Sequence, residues 1–202
     1  MATQFPGLQA AHQEFIARQK IFFVASATAS SHVNVSPRGT DLFRVIDASS
    51  VLYLDKTGSG NETAAHIRAG GRITMMFCAF EGPPQILRLY GSGVVHPRHS
   101  HGFAVLLKDR FGNVAPPGAR QIVELRLELV QTSCGYGVPQ FTYRGERDGL
   151  DRWAEKKGQP GLDAFWQEKN SHSLDLLPTG IDDPTQRRSR SSLPSKRSVD
   201  RG

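Results

Sequence analysis

Cysteine is nearly missing. Cys78 and Cys134 are the only two in 202 residues and neither sits in a C-x-x-C pair, so a disulfide scaffold and a C-x-x-C redox or zinc site are both excluded. Long apolar runs are missing too: no stretch approaches the roughly 20 residues that a membrane-spanning helix needs, and the N-terminus has no basic segment followed by an apolar run. A soluble, cytoplasmic protein is expected. Acidic residues are scarce in one place only. Residues 184–202 hold Arg187, Arg188, Arg190, Lys196, Arg197 and Arg201 against Asp200, which is +5 of the formal +6 and leaves the rest of the chain close to neutral. The basic pI of about 9.6 is therefore a property of a Ser-rich tail, and the folded body needs no nucleic-acid partner. That tail reads as a solvated terminus or as a modification or localisation segment around Arg187-Arg188-Ser189-Arg190. No repeat recurs at a fixed period.

What is present is an ordinary globular composition, 38% hydrophobic with 20 glycines, of a length that suits one domain with appendages. The reading is a domain over residues 1–180 with a C-terminal helical extension, and a tail over 181–202. Residues 8–20 have helical spacing, with Leu8, Ala11, Phe15 and Ile16 on one stripe. Ile21-Phe22-Phe23-Val24-Ala25 reads as a buried strand, and Val33-Asn34-Val35-Ser36 as its hairpin partner, stopped by Pro37. Val51-Leu52-Tyr53-Leu54 is a third strand, followed by a glycine-rich loop and a short helix over 61–68 that Gly70-Gly71 ends. An apolar run over 73–80 turns at Gly82-Pro83-Pro84 into a strand over 86–90; Pro97 opens a helical segment; residues 121–131 alternate as a strand with one buried face. Six strands joined mostly by tight turns favour an antiparallel barrel or sandwich over a parallel sheet. Trp153, Phe165 and Trp166 punctuate a helix-prone C-terminal segment too poor in apolar residues to fold alone, which must dock on the barrel or on a partner.

The loop Thr57-Gly58-Ser59-Gly60-Asn61-Glu62-Thr63 offers hydroxyls, small residues and backbone N–H groups at a helix start, a chemistry that attracts phosphate. Ser59 to Glu62 also fits the S-x-x-E capping box, which would satisfy those groups without a ligand. The lysine of a P-loop and the third glycine of a dinucleotide fingerprint are lacking. Arg88, inside an apolar strand, and Arg38, at a strand end, each face water or serve an anion. His96, His99 and His101 stand close together without a carboxylate or cysteine to complete a metal site, and no metal is expected. Of the two thiols, Cys134 is the more accessible candidate for a nucleophile.

The order of these elements and several motifs carry a specific resemblance. Phe22 to Ala25, Val33-Asn34-Val35-Ser36-Pro37-Arg38-Gly39, Asp41-Leu42-Phe43-Arg44-Val45, Tyr53-Leu54-Asp55, the Thr57 to Thr63 loop and Gly71-Arg72-Ile73-Thr74 together resemble the pyridoxamine 5'-phosphate oxidase-like family of flavin-binding split barrels. The likeness is close over residues 15–95 and continues through Cys134-Gly135-Tyr136-Gly137-Val138-Pro139, Lys169-Asn170 and the stretch from Leu174 to Gly180. It implies a mainly β fold, a six-stranded antiparallel split β-barrel with a few flanking helices, and a homodimer holding FMN between subunits. It implies that Val33, Asn34, Val35, Ser36 and Arg38 run along the flavin, that Thr57, Ser59, Gly60, Asn61 and Thr63 hold its phosphate, and that Arg88 faces the ring. The chain departs from the true oxidases at Glu62-Thr63, where they carry an Arg-Lys pair, and lacks their substrate-gripping motifs, so vitamin B6 is not the expected substrate. The implied activity is flavin-dependent oxidoreduction of a small molecule, with no catalytic side chain nominated. A non-catalytic flavin- or haem-binding stress protein and a deazaflavin-dependent reductase are the alternatives.

Overall fold

Strict alternation along the chain becomes one antiparallel sheet. The computed structural model describes residues 2–181, so the basic tail lies outside the described residues. The strands are β1 (Thr3–Phe5), β2 (Ile21–Ala27), β3 (Asn34–Gly39), β4 (Phe43–Val45), β5 (Ser50–Lys56), β6 (Arg72–Cys78), β7 (Ile86–Pro97) and β8 (Ala119–Ser133). The helices are α1 (Ala10–Arg18), α2 (Glu62–Arg68), α3 (His101–Arg110) and α4 (Gly149–Lys169). The sheet order is β3-β2-β6-β7-β8-β5-β4, with β1 added on the far half of β8, and it curls into a half-barrel consistent with a split barrel. None of the described helices is long and apolar enough to cross a membrane.

The expectation of six strands is corrected to eight among the described residues. The two extra strands, β1 and β4, are three residues each, too short for alternation to register in a sequence. Pro37 does not stop β3, which continues to Gly39 with Pro37 opposite Phe23. β3 is the outer strand of the sheet, where a residue without an N–H costs the ladder least. Pro97 likewise ends a twelve-residue strand instead of opening a helix. The helix start falls to Ser100, whose hydroxyl accepts the Phe103 N–H at 3.1 Å.

The curl has a local cause. Tyr90 pairs with Leu129 but Gly91 pairs with Leu127, so β8 carries one extra residue and the long β7–β8 ribbon bends there. Gly91 fits because a Cβ would overlap the Arg126 carbonyl oxygen. Inside the curve, Phe22, Tyr53, Ile73, Met75, Phe77, Leu87, Leu89 and Leu125 form the core, closed at one end by Phe15 and Ile16 of α1. Phe22 and Phe77 stack at 5.4 Å with Phe43 edge-on to both. Leu52, Leu54 and Ile122 point the other way and pack against Phe103 of α3. The middle of β5 is thereby buried on both faces, which is why its sequence is continuously apolar.

The C-terminal segment docks on the barrel. α4 kinks at Gly158, which has φ of 63°, and buries Ala154, Leu162 and Trp166. The Trp166 indole N–H donates to Thr57 Oγ1 at 2.8 Å, fixing the helix against the end of β5.

Replacing Gly91 with Ala is expected to destabilise the fold by about 1–3 kcal/mol, the usual range for forcing atoms into filled space. Thermal or urea unfolding measures it, and an unchanged midpoint would show that the bulge relaxes freely.

Candidate functional site

Asp55 is the anchor. It lies near the end of β5, only 1% exposed, and three side chains from other positions converge on its carboxylate. Arg38 of β3 pairs with Oδ1 at 2.5 Å, Arg120 of β8 donates from Nε to Oδ2 at 2.9 Å, and Gln121 donates to Oδ2 at 2.8 Å. Burial pushes the Asp55 carboxyl up, but Arg120 and Arg38 outweigh it and hold the group below the ordinary carboxylate range. Burial also works against the charge of Arg38; Asp55 offsets it and leaves the guanidinium pKa raised. The Arg38 guanidinium lies 5.0 Å from the centre of the Tyr53 ring, whose phenol is pushed up to about 12 by burial and stays neutral.

From this anchor the loop after β5 is held open and in place. Arg120 Nη1 donates to the Gly60 carbonyl at 2.8 Å and to Asn170 Oδ1 at 2.7 Å, and Asn170 donates to the Gly58 carbonyl at 3.1 Å. Gln121 donates to Asn61 Oδ1 at 2.8 Å, and Thr57 donates to the Gly118 carbonyl at 2.7 Å. Between this loop and β3 lies a cleft of about 460 Å3, within the range of small-molecule sites. Asn34 Nδ2 donates to Thr63 Oγ1 at 3.3 Å across its floor.

The cleft gathers most of the residues named from sequence. Val33, Asn34, Ser36, Arg38, Thr57, Ser59, Gly60 and Thr63 all line it. Val35 does not: strand parity turns it to the opposite face of β3, where it is 60% exposed. Asn61 is buried beneath the loop with its amide committed to Gln121. Arg88 lies away from the cleft within one chain and donates to Ser133 Oγ at 3.0 Å. The capping box does not form. Asn61 is the N-cap of α2 with no side-chain cap, and the Glu62 carboxylate accepts the Leu174 N–H at 3.0 and 3.1 Å instead.

Sequence reasoning missed Lys56 and Arg120, the two further cations of the cleft, and the part played by Asp55, Gln121 and Asn170. Arg120 had a signal, since it directly precedes the alternating run over 121–131, and the fold leaves it 3% exposed. Lys56 is held by Asp151 of α4 at 2.8 Å, a contact across 95 positions that no local pattern reveals. The histidine cluster is spread out: His96 meets Glu124 at 3.1 Å and His99 meets Asp163 at 3.9 Å. Among the described residues no group of three His, Cys, Asp or Glu stands ready for a metal. Cys78 is buried, which pushes its thiol up, and Cys134 is exposed.

A split-barrel half with a polar, cation-bearing cleft beside its outer strand defines the class. The family description "Pyridoxamine 5'-phosphate oxidase" matches residues 8–134. The chain is also 37% identical over 184 residues to a pyridoxamine 5'-phosphate oxidase family protein, ustO, of Aspergillus flavus, covering 82% of this chain and 73% of that protein. The chain belongs to the pyridoxamine 5'-phosphate oxidase family. Among solved structures, a variant of HupZ from Group A Streptococcus matches with a TM-score of 0.50 at 18% identity, over 62% of this chain and 98% of that one, and shows the shared fold. An FAD-binding protein from Mycobacterium smegmatis matches with a TM-score of 0.44 at 11% identity, over 64% of this chain and 97% of that one.

Removing Asp55 leaves buried Arg120 without its counter-charge, so Asp55→Ala is expected to cost about 3–5 kcal/mol. The folded-state pKa of Asp55 is depressed. Its stabilisation is therefore complete above the unfolded carboxylate value of about 4 and is lost as pH falls through the lower folded value. Acid unfolding followed by circular dichroism should accordingly be less steep in Asp55→Asn than in the parent; equal slopes would remove Asp55 as the acid-sensitive group.

Proposed function

We propose that this chain is a flavin-dependent oxidoreductase that binds FMN by its phosphate in the cleft between β3 and the Thr57–Thr63 loop. The observation that carries the reading is Arg38: it lines the cleft, is paired with Asp55 through one nitrogen, and its buried Nε has no hydrogen-bond partner. An unsatisfied buried donor of a charged group is costly, and an anionic ligand would relieve it. Around it, the Ser59 and Thr63 side chains and the cations Lys56 and Arg120 line the cleft and offer donors a phosphate takes; the cations stand in for the Arg-Lys pair that Glu62-Thr63 replaces and offset the Glu62 carboxylate that also lines it. Val33 and Leu174 supply apolar wall.

Bound there, the flavin would supply the hydride or electron transfer, so the chain needs no acid or base of its own. Its residues bind, orient and exclude water. Arg38 holds a positive charge at all working pH, and the Tyr53 phenol it lies against stays neutral. The rim of the cleft is apolar and bare, with Val33 70% and Leu174 73% exposed. A second copy of the chain would cover this rim, and the reading includes a homodimer with the cofactor at the seam. It also puts the protein in the cytosol, where Cys78 and Cys134 stay reduced, and expects a substrate other than a vitamin B6 phosphate.

The purified protein should bind one FMN per chain, read as quenching of flavin fluorescence, and the bound flavin should be reduced by NADPH or NADH in stopped flow. Arg38→Ala should weaken FMN by about 1.5–3 kcal/mol, the range for hydrogen bonds to charged groups. A thermal melt separates this from misfolding. A protein that ignores added FMN would overturn the reading.

A further inference from the structure

Beside the cleft lies a second, larger hollow of about 980 Å3 whose walls the flavin reading does not use. Phe15 and Ile21 line one side, Phe80 and Pro83 of the β6–β7 turn line the next, and Phe141 and Tyr143 come from an irregular segment that passes over it. That segment is tied down. The Phe141 N–H donates to the Phe80 carbonyl at 3.1 Å, the two rings lie 5.4 Å apart, and the Tyr143 hydroxyl donates to Glu146 at 2.8 Å. Yet Phe141 remains 61% and Tyr143 43% exposed, an aromatic surface that folding alone has not covered.

The charges around this hollow are unbalanced. Its two acids, Glu81 and Glu146, both accept hydrogen bonds from Tyr143. Its cations are Arg18, Lys20, Arg144 and Arg147; Lys20 lies 5.6 Å from the Tyr143 ring, and the three arginines have no ion pair among the described residues. Aromatic walls under a rim of unpaired guanidinium groups complement a flat ring carrying a carboxylate. The position matters as well. A smaller hollow of about 260 Å3 joins the two, sharing Arg38 and Lys56 with the cleft and Glu146 and Arg147 with the cavity. Leu150, at the start of α4, lines all three.

We propose that this cavity binds a small aromatic carboxylate, which is the substrate class of the cleft beside it. The binding site stands on the cavity alone; its role as the substrate site rests on the flavin reading.

Calorimetric titration of the full chain with naphthoate and with naphthol, the same ring without a charge at neutral pH, tests it. Naphthoate should bind about 10-fold more tightly, and Arg147→Ala should remove that advantage while leaving naphthol unchanged. Phe141→Ala should weaken both several-fold. Both positions are exposed, and circular dichroism checks that the variants fold. Equal affinity for the two probes, no binding of either, variants without effect, or a dimer by light scattering that excludes naphthoate would each overturn the proposal. FMN titrated into the same samples keeps the two readings apart. Naphthoate bound without FMN overturns the flavin reading and leaves this site standing, while FMN bound without naphthoate does the reverse.

Discussion

A carboxylate taken out of water must be paid for by partners, and Asp55 is the group on which the rest of this molecule depends. Its partners come from β3 and β8, and through Arg120 the network reaches the loop after β5 and the segment after α4. A buried charge is tolerable only when paired and hydrogen-bonded. The sheet must therefore bring Arg38 and Arg120 to the same place before the site exists. The consequence is a loop whose carbonyls, at Gly58 and Gly60, are turned inward onto Asn170 and Arg120 while its hydroxyl-bearing residues line the cleft. The pocket wall is thus a by-product of satisfying one acid.

The same economy explains the placement of α4. A helix with so few apolar residues gains little from burial by itself; Ala154, Leu162 and Trp166 make up its buried stripe. Polar contacts complete the docking, through Trp166 to Thr57 and Lys56 to Asp151. Because α4 starts at the junction of the cleft and its neighbouring hollows, the helix that is tied to Thr57 also carries Leu150 between the two ligand-sized spaces. Structure and site are here the same set of contacts.

Glu62 illustrates how a local motif can be correct in pattern and different in use. S-x-x-E around Ser59 is a sound capping signal, but the carboxylate finds the Leu174 N–H, more than a hundred positions away. A charged acceptor within reach of a backbone donor from the returning chain outcompetes the cap, and the helix starts at Asn61 without one. The Ser59 and Thr63 side chains thereby remain available at the cleft.

From the order of residues alone came the antiparallel β character, the helix after the glycine-rich loop, the docking of the Trp-bearing tail helix and the family likeness. Each of these is written in short-range periodicity or in motifs of a few residues. Nearly all the cleft residues on β3 and the loop were legible for the same reason. The tertiary structure alone decided that β1 and β4 exist, that Pro37 and Pro97 lie inside strands, and that Arg88 stands apart from the cleft while Arg120 and Lys56 join it. Those outcomes depend on which strand is at an edge and on which charges meet across 60 to 100 positions of chain. Local propensity carries no information about either, because pairing partners are chosen by burial and by the cost of an unpaired buried charge.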